Sequence, residues 1–185
     1  MLVEEEKRML SKRAQSGFTL VELCIVMAIM AILMALGIRP YRDWVENNKI
    51  RNAAESISSG LMLARSEAVT RNTSVNLTLA AGTSSAWTVG CTVPVAGTCP
   101  AAIHNRQESE GSSGAITVLS PAGRTITFNN LGRMTLPLVP GSIDINIDNT
   151  SLPAATSNDL RVNVSVGGGI RVCNPNVVAP DARAC

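Results

Sequence analysis

The sequence predicts an α+β protein in which one long N-terminal helix packs on an antiparallel β-sheet head. Three observations predict it. Residues 18–38 are an almost unbroken apolar run of membrane-crossing length. Residues 50–68 then repeat small and aliphatic side chains at helical spacing. From residue 75 onward the period changes to strict alternation, the pattern of strands with one buried face.

The apolar run, Phe18 to Ile38, covers 21 positions. As a helix rising about 1.5 Å per residue it spans roughly 31 Å, enough to cross a bilayer core. Its single charge is Glu22. A carboxylate inside a membrane helix costs about 2.5–3.5 kcal/mol on insertion scales, less near an end, and such a residue usually has a partner. Cys24 also lies in the run and reads as a small buried hydrophobe. Lys12 and Arg13 precede the run; Arg39 and Arg42 follow it.

Residues 1–17 precede the run. They hold Lys7, Arg8, Lys12 and Arg13 against Glu4, Glu5 and Glu6, with Met9 as an alternative start. An ordinary secretory signal puts its small-residue cleavage site after the apolar stretch. Here Ser16-Gly17 comes before it.

Gly37 and Pro40 interrupt the helix pattern, and a kink is expected there. Beyond them Ile50, Ala53, Ile57, Leu61, Ala64 and Ala68 form one apolar face. Asn47, Lys49, Arg51, Glu55 and Arg65 fill the other face, and the helix should end near Arg71-Asn72. The expected organisation is an N-terminal segment 1–17, a membrane helix 18–40, an amphipathic helix 41–72 and a β-rich head 73–185.

In the head, Val75, Leu77 and Leu79 alternate with polar residues, as do Trp87, Val89, Cys91 and Val93. Ile143, Ile145 and Ile147 follow the same rule, as do Leu160, Val162, Val164 and Val166. Residues 116–119 and 125–128 are shorter strand candidates. Residues 94–115 are small and polar without periodicity, and are expected to be a long exposed loop.

Five cysteines divide into Cys24 and two local pairs, Cys91/Cys99 and Cys173/Cys185. This pattern suggests an exported domain with two disulfides. Each would close a loop of roughly ten residues, worth about 2.5–3 kcal/mol in the chain-entropy model. The competing reading is zinc, but the spacings do not fit short zinc knuckles and His104 is the only histidine.

Net charge is +2, and without residues 1–17 the balance is 12 cations to 11 anions. That excludes a strongly electrostatic partner as a default. No nucleophile elbow, phosphate loop, H-E-x-x-H or carboxylate cluster is present, so neither an enzyme nor a cofactor is expected. The N-x-S/T sequons at Asn72, Asn76, Asn149 and Asn163 read as chance in a polar β domain.

"GFTLVEL", residues 17–23, resembles the signal of type IV pilins and type II secretion pseudopilins. The resemblance implies that residues 1–17 are a leader which a prepilin peptidase cuts off between Gly17 and Phe18, that the Phe18 amine is methylated, and that helix 18–40 is a membrane and then a filament-core helix. It makes Glu22 the family's fifth-position glutamate, which pairs in the filament with the N-terminal amine of a neighbouring subunit. "LMLARSEAVTRN" (61–72), "ITFNNLGRMT" (126–135) and "GGGIRVCNPN…DARAC" (167–185) resemble the GspH/FimT/FimU group of minor pilins and pseudopilins. That group implies the type IV pilin fold and a Cys173–Cys185 disulfide. It also implies partners: other minor and major pilins, the peptidase and an inner-membrane assembly platform. The expected location is the bacterial inner membrane, single-pass with the head in the periplasm, then the extracellular pilus.

Three functions follow from the resemblance: a minor pilin that primes a type IV pilus at or near its tip, a DNA-binding minor pilin, or a minor pseudopilin of type II secretion. DNA-binding members carry a Gly-Arg-x-Arg tail motif. Here Gly169 stands in the first arginine's place, leaving Arg171, with Arg183 and Arg161 near it, as candidate phosphate contacts. The only aromatics after residue 72 are Trp87 and Phe128, which suit a core better than a base-stacking platform.

Overall fold

The computed structural model describes residues 17–137 and 140–185. Apart from Gly17, the expected leader lies outside the described residues. The chain divides in sequence into two compact units that meet between Arg39 and Pro40.

One helix, α1, is assigned over Leu20–Thr70, with both Gly37 and Pro40 inside it. The expected interruption therefore does not end the element. By length and composition Leu20–Ala35 and Gly37–Thr70 qualify as a membrane span together, not singly. Thr19 starts the helix: its Oγ1 accepts the Glu22 N–H at 3.2 Å and satisfies one of the free donors of the first turn. At the other end Asn72 takes a φ of 50°. The Thr73 N–H then reaches the Ala68 carbonyl and the Asn72 N–H reaches Val69. This is a Schellman closure with asparagine in the left-handed position, and it stops the helix where a new direction is needed.

Among the described residues of the head unit nine strands follow: β1 Val75–Leu79, β2 Trp87–Cys91, β3 His104–Arg106, β4 Ile116–Leu119, β5 Thr125–Phe128, β6 Met134–Leu136, β7 Ser142–Asn149, β8 Leu160–Ser165 and β9 Ile170–Cys173. They form two antiparallel sheets, ordered β3-β2-β1-β5-β6 and β4-β7-β8-β9. The alternation read from the sequence sets which side chains point inward. In β7, Ile143, Ile145 and Ile147 are buried, and Ile145 stands opposite Val162 of β8. Ile50, Ile57, Leu61 and Ala64 of α1 share one core with these residues and with Val75, Leu77 and Phe128 of the first sheet.

Helix and sheet approach closely at Gly60. A methyl there would meet Leu77 Cδ1 at 2.8 Å and Trp87 Cζ2 at 2.9 Å. At this contact the buried Trp87 indole N–H donates to Ser56 Oγ at 2.9 Å, so a polar atom taken into the core keeps a partner. Polar clamps fasten the β7–β8 connection to the same helix. Asn47 donates to the Thr156 carbonyl and accepts the Asn158 N–H, and Asn149 Nδ2 donates to Glu46 Oε2 at 2.9 Å.

One expectation is corrected. Residues 94–115 are not one unstructured loop, because β3 lies within them and pairs with β2. Its sequence, His-Asn-Arg, has no apolar alternation. The strand is set by its neighbour, with Val89 opposite His104 and the His104 ring 5.5 Å from that of Trp87. Cys24 is exposed on the lone subunit, as are the apolar residues around it.

Candidate functional site

The stem unit exposes its apolar side chains. Phe18 is 84% accessible and Leu20 is 77% accessible, and Val21, Leu23, Ile25 and Ile29 are also exposed. A lone subunit cannot hold such a surface in water at low cost, so this segment needs a lipid or protein environment. Glu22 lies in the first turn, where a negative charge complements the unsatisfied N–H groups. Among the described residues no ion pair involves its carboxylate. Gly17 and Phe18 lie just ahead of the helix, outside any regular secondary structure.

The sequence suggested Thr19 only as part of a motif. The structure gives it a role, since Thr19 and Glu22 stand at the first and fourth positions of a Thr-x-x-Glu helix start. Three residues earlier than the carboxylate, a hydroxyl therefore fixes where the helix begins.

At the far end of the chain, Cys91 is joined to Cys99 and Cys173 to Cys185, with Cα separations of 5.7 and 5.1 Å. The second bond folds the last twelve residues back beside β9, where Asn174 N–H donates to the Arg183 carbonyl at 2.7 Å. Arg171 completes the closure. Its Nη2 donates to the carbonyls of Ala184 at 2.7 Å and Ala182 at 3.1 Å.

The other two candidate arginines are also engaged. Arg161 Nε donates to Asn146 Oδ1 at 2.7 Å and its Nη1 lies 3.2 Å from Asp144. Arg183 Nη2 lies 2.8 Å from Asp181 Oδ2. The Arg183 hydrogen bond holds the Asp181 carboxyl down at about 2. Register sets Arg171 opposite Asn163 and Arg161 opposite Cys173, so the two sit on adjacent strands. Gly169, in the place of the missing arginine, donates its N–H to Ser165 Oγ in the turn before β9. Each of these arginines thus has a partner within the head.

Sequence reading placed Arg65 on the solvated face of the helix. In the structure its side chain lies against two turns: methyls built on Gly132 and Gly168 would each stand 3.1 Å from Arg65 Nε. Gly168 has a φ of +82°, and a methyl on it would also stand 2.0 Å from the Gly132 carbonyl oxygen. Only glycine fits that crossing. The signal in the sequence was the glycine in each of the two motifs, not the arginine.

Comparison with known proteins agrees with this geometry. A family model described as "Type II transport protein GspH" matches residues 53–168, and one described as "Prokaryotic N-terminal methylation motif" matches residues 12–38. A "Fimbrial protein" of Pseudomonas aeruginosa is 43% identical over 47 residues, which is 25% of this chain and 30% of that protein. The chain thus matches less than a third of the length of that relative. Among solved structures, the Pseudomonas aeruginosa type IV minor pilin FimU aligns with a TM-score of 0.56 at 18% identity, over 75% of this chain and 98% of FimU. The minor pseudopilin EpsH from the type 2 secretion system of Vibrio cholerae aligns with a TM-score of 0.51 at 14% identity, over 70% and 99% of the two chains. At these identities the likeness shows the fold, that of type IV pilins. The GspH model covers well over half of the sequence, and this chain is a member of the GspH family that also carries the prokaryotic N-terminal methylation motif.

Proposed function

We propose that the chain is a minor pilin that helps prime a type IV pilus and is built in at or near its tip. The observation that carries this reading is the stem: a helix exposed along its apolar length, with one carboxylate in its first turn. In the bilayer the apolar surface is covered by lipid, and in a fibre by neighbouring stems. Glu22 supplies register. An ammonium and a carboxylate inside an apolar bundle attract strongly, and either one left alone is penalised. Subunits therefore pack where the Phe18 amine of one meets Glu22 of the next.

On this reading a prepilin peptidase cuts between Gly17 and Phe18, and the subunit waits in the inner membrane with its head in the periplasm. An assembly platform and other pilins then draw it into the fibre. Gly17 and Phe18 lie outside the helix, which supports access for the peptidase. The internal engagement of Arg161, Arg171 and Arg183 favours this structural role over DNA capture. A type II secretion pseudopilin would share the same stem chemistry, and the two part on where the protein is found.

The test is mass spectrometry of the protein purified from membranes, with immunodetection in sheared surface fibres. N-methylated Phe18 at the N-terminus and presence in sheared pili are expected. A mature N-terminus beyond residue 38 would contradict the subunit reading. Correct processing with the protein absent from pili and required for secretion would assign it to the secretion machine.

A further inference from the structure

The head unit carries an exposed aromatic pair with no task in the fold. Tyr41 and Trp44 stand one helical turn apart and are 66% and 63% accessible. Their ring centroids are 6.2 Å apart. The chain has a single tyrosine and two tryptophans. The other tryptophan, Trp87, is buried with its N–H satisfied by Ser56, whereas the Trp44 N–H has no partner among the described residues. A protein so poor in aromatics leaves two of them in water, three and six positions after Ile38, the last residue of the apolar run.

That sequence position suggests the occupant. Trp and Tyr concentrate at membrane–water boundaries, because their rings are apolar while the indole N–H and phenol O–H want polar partners. Arg42 is exposed between them, and Arg39 directly follows the run. Long cationic side chains at this level reach lipid phosphates while their methylenes stay in apolar surroundings. The patch is thus continuous in sequence with the segment that enters the bilayer.

We propose that Tyr41 and Trp44, with Arg42, form an interfacial anchor that seats the unassembled subunit in the headgroup layer at the head-side membrane surface. The pair fixes how far the stem rises, and so the depth at which Glu22 is held, before the subunit leaves for the fibre. The inference rests on the reading of residues 18–38 as a membrane segment. It adds a second function to that end of the helix, which must give up lipid contacts on extraction.

The test uses the full-length chain in phosphatidylethanolamine/phosphatidylglycerol vesicles. Subtracting the emission of Trp44→Phe from wild type isolates Trp44, and the retained Trp87 signal reports that the variant is folded. The expected result is co-flotation with vesicles and a blue-shifted Trp44 emission. Lipids brominated near the ester end of the acyl chain should quench it more strongly than lipids brominated near the terminal methyl. Co-flotation with a Trp44 emission that no brominated lipid quenches overturns the anchor while leaving the membrane reading intact. A blue shift that arises only in assembled fibres gives the pair to a neighbouring subunit and also overturns it. Failure to co-float contradicts the membrane reading itself, and the anchor with it.

Discussion

Arg171 Nη2 donates to the carbonyl oxygen of Ala184 at 2.7 Å, across the loop that the Cys173–Cys185 bond closes. The arginine and the disulfide thus hold the same tail from two sides. The residue that resembles a nucleic-acid contact in sequence is a clamp in the fold.

Arg171→Ala should therefore loosen the tail. It removes two hydrogen bonds from an exposed guanidinium, so the loss is modest, about 1 kcal/mol. Urea unfolding of the head should show a lower midpoint, and limited proteolysis should cut sooner between residues 174 and 184. Duplex DNA should bind no tighter than non-specific levels, roughly 10⁻⁴–10⁻⁶ M at physiological salt. Submicromolar binding that Arg171→Ala abolishes would show that the guanidinium reaches phosphate.

Ser56→Ala tests the polar link between helix and sheet. The Trp87 N–H would stay buried with its partner removed, which costs about 1–3 kcal/mol. Alanine returns up to about 0.7 kcal/mol in helix propensity, so the desolvation cost wins. A lower unfolding midpoint with unchanged denaturant slope is expected. An unchanged midpoint would mean that water satisfies the indole.

Glu46 gives the head a pH dependence of defined sign. Its hydrogen bond from Lys49, at 2.6 Å, and that from Asn149 lower its pKa below the ordinary 4.5. A lowered folded value stabilises the fold fully above the unfolded value and loses that contribution as pH falls through the folded one. Stability should therefore decline on acidification below about pH 4.5. Glu46→Gln should flatten that decline relative to wild type in urea midpoints measured across pH. Parallel acid limbs would assign the dependence to other carboxylates.

The strands with strict alternation were legible because one face of each is buried. Ile143, Ile145 and Ile147 needed no further information. β3 was not legible, because a three-residue edge strand of His, Asn and Arg takes its conformation from its partner's backbone. The glycine crossing at Gly132 and Gly168 was hidden for a related reason: it depends on two loops distant in sequence and on Arg65 between them. The apolar run of the stem was legible as a surface in need of cover, and Phe18, Leu20 and Ile25 stand exposed on the subunit. Tyr41 and Trp44 were visible as letters but acquire meaning only when the fold leaves them uncovered.

Incorporation of Glu22→Ala into fibres tests the central claim most directly. The substitution removes an insertion penalty and, on this account, the partner of a neighbour's amine. The variant should reach the membrane at least as well as wild type and still be cut after Gly17. In sheared fibres, immunodetection should find it strongly depleted relative to the membrane fraction. Wild-type incorporation of Glu22→Ala would mean that apolar packing alone assembles the stem, and would contradict the role given to the carboxylate.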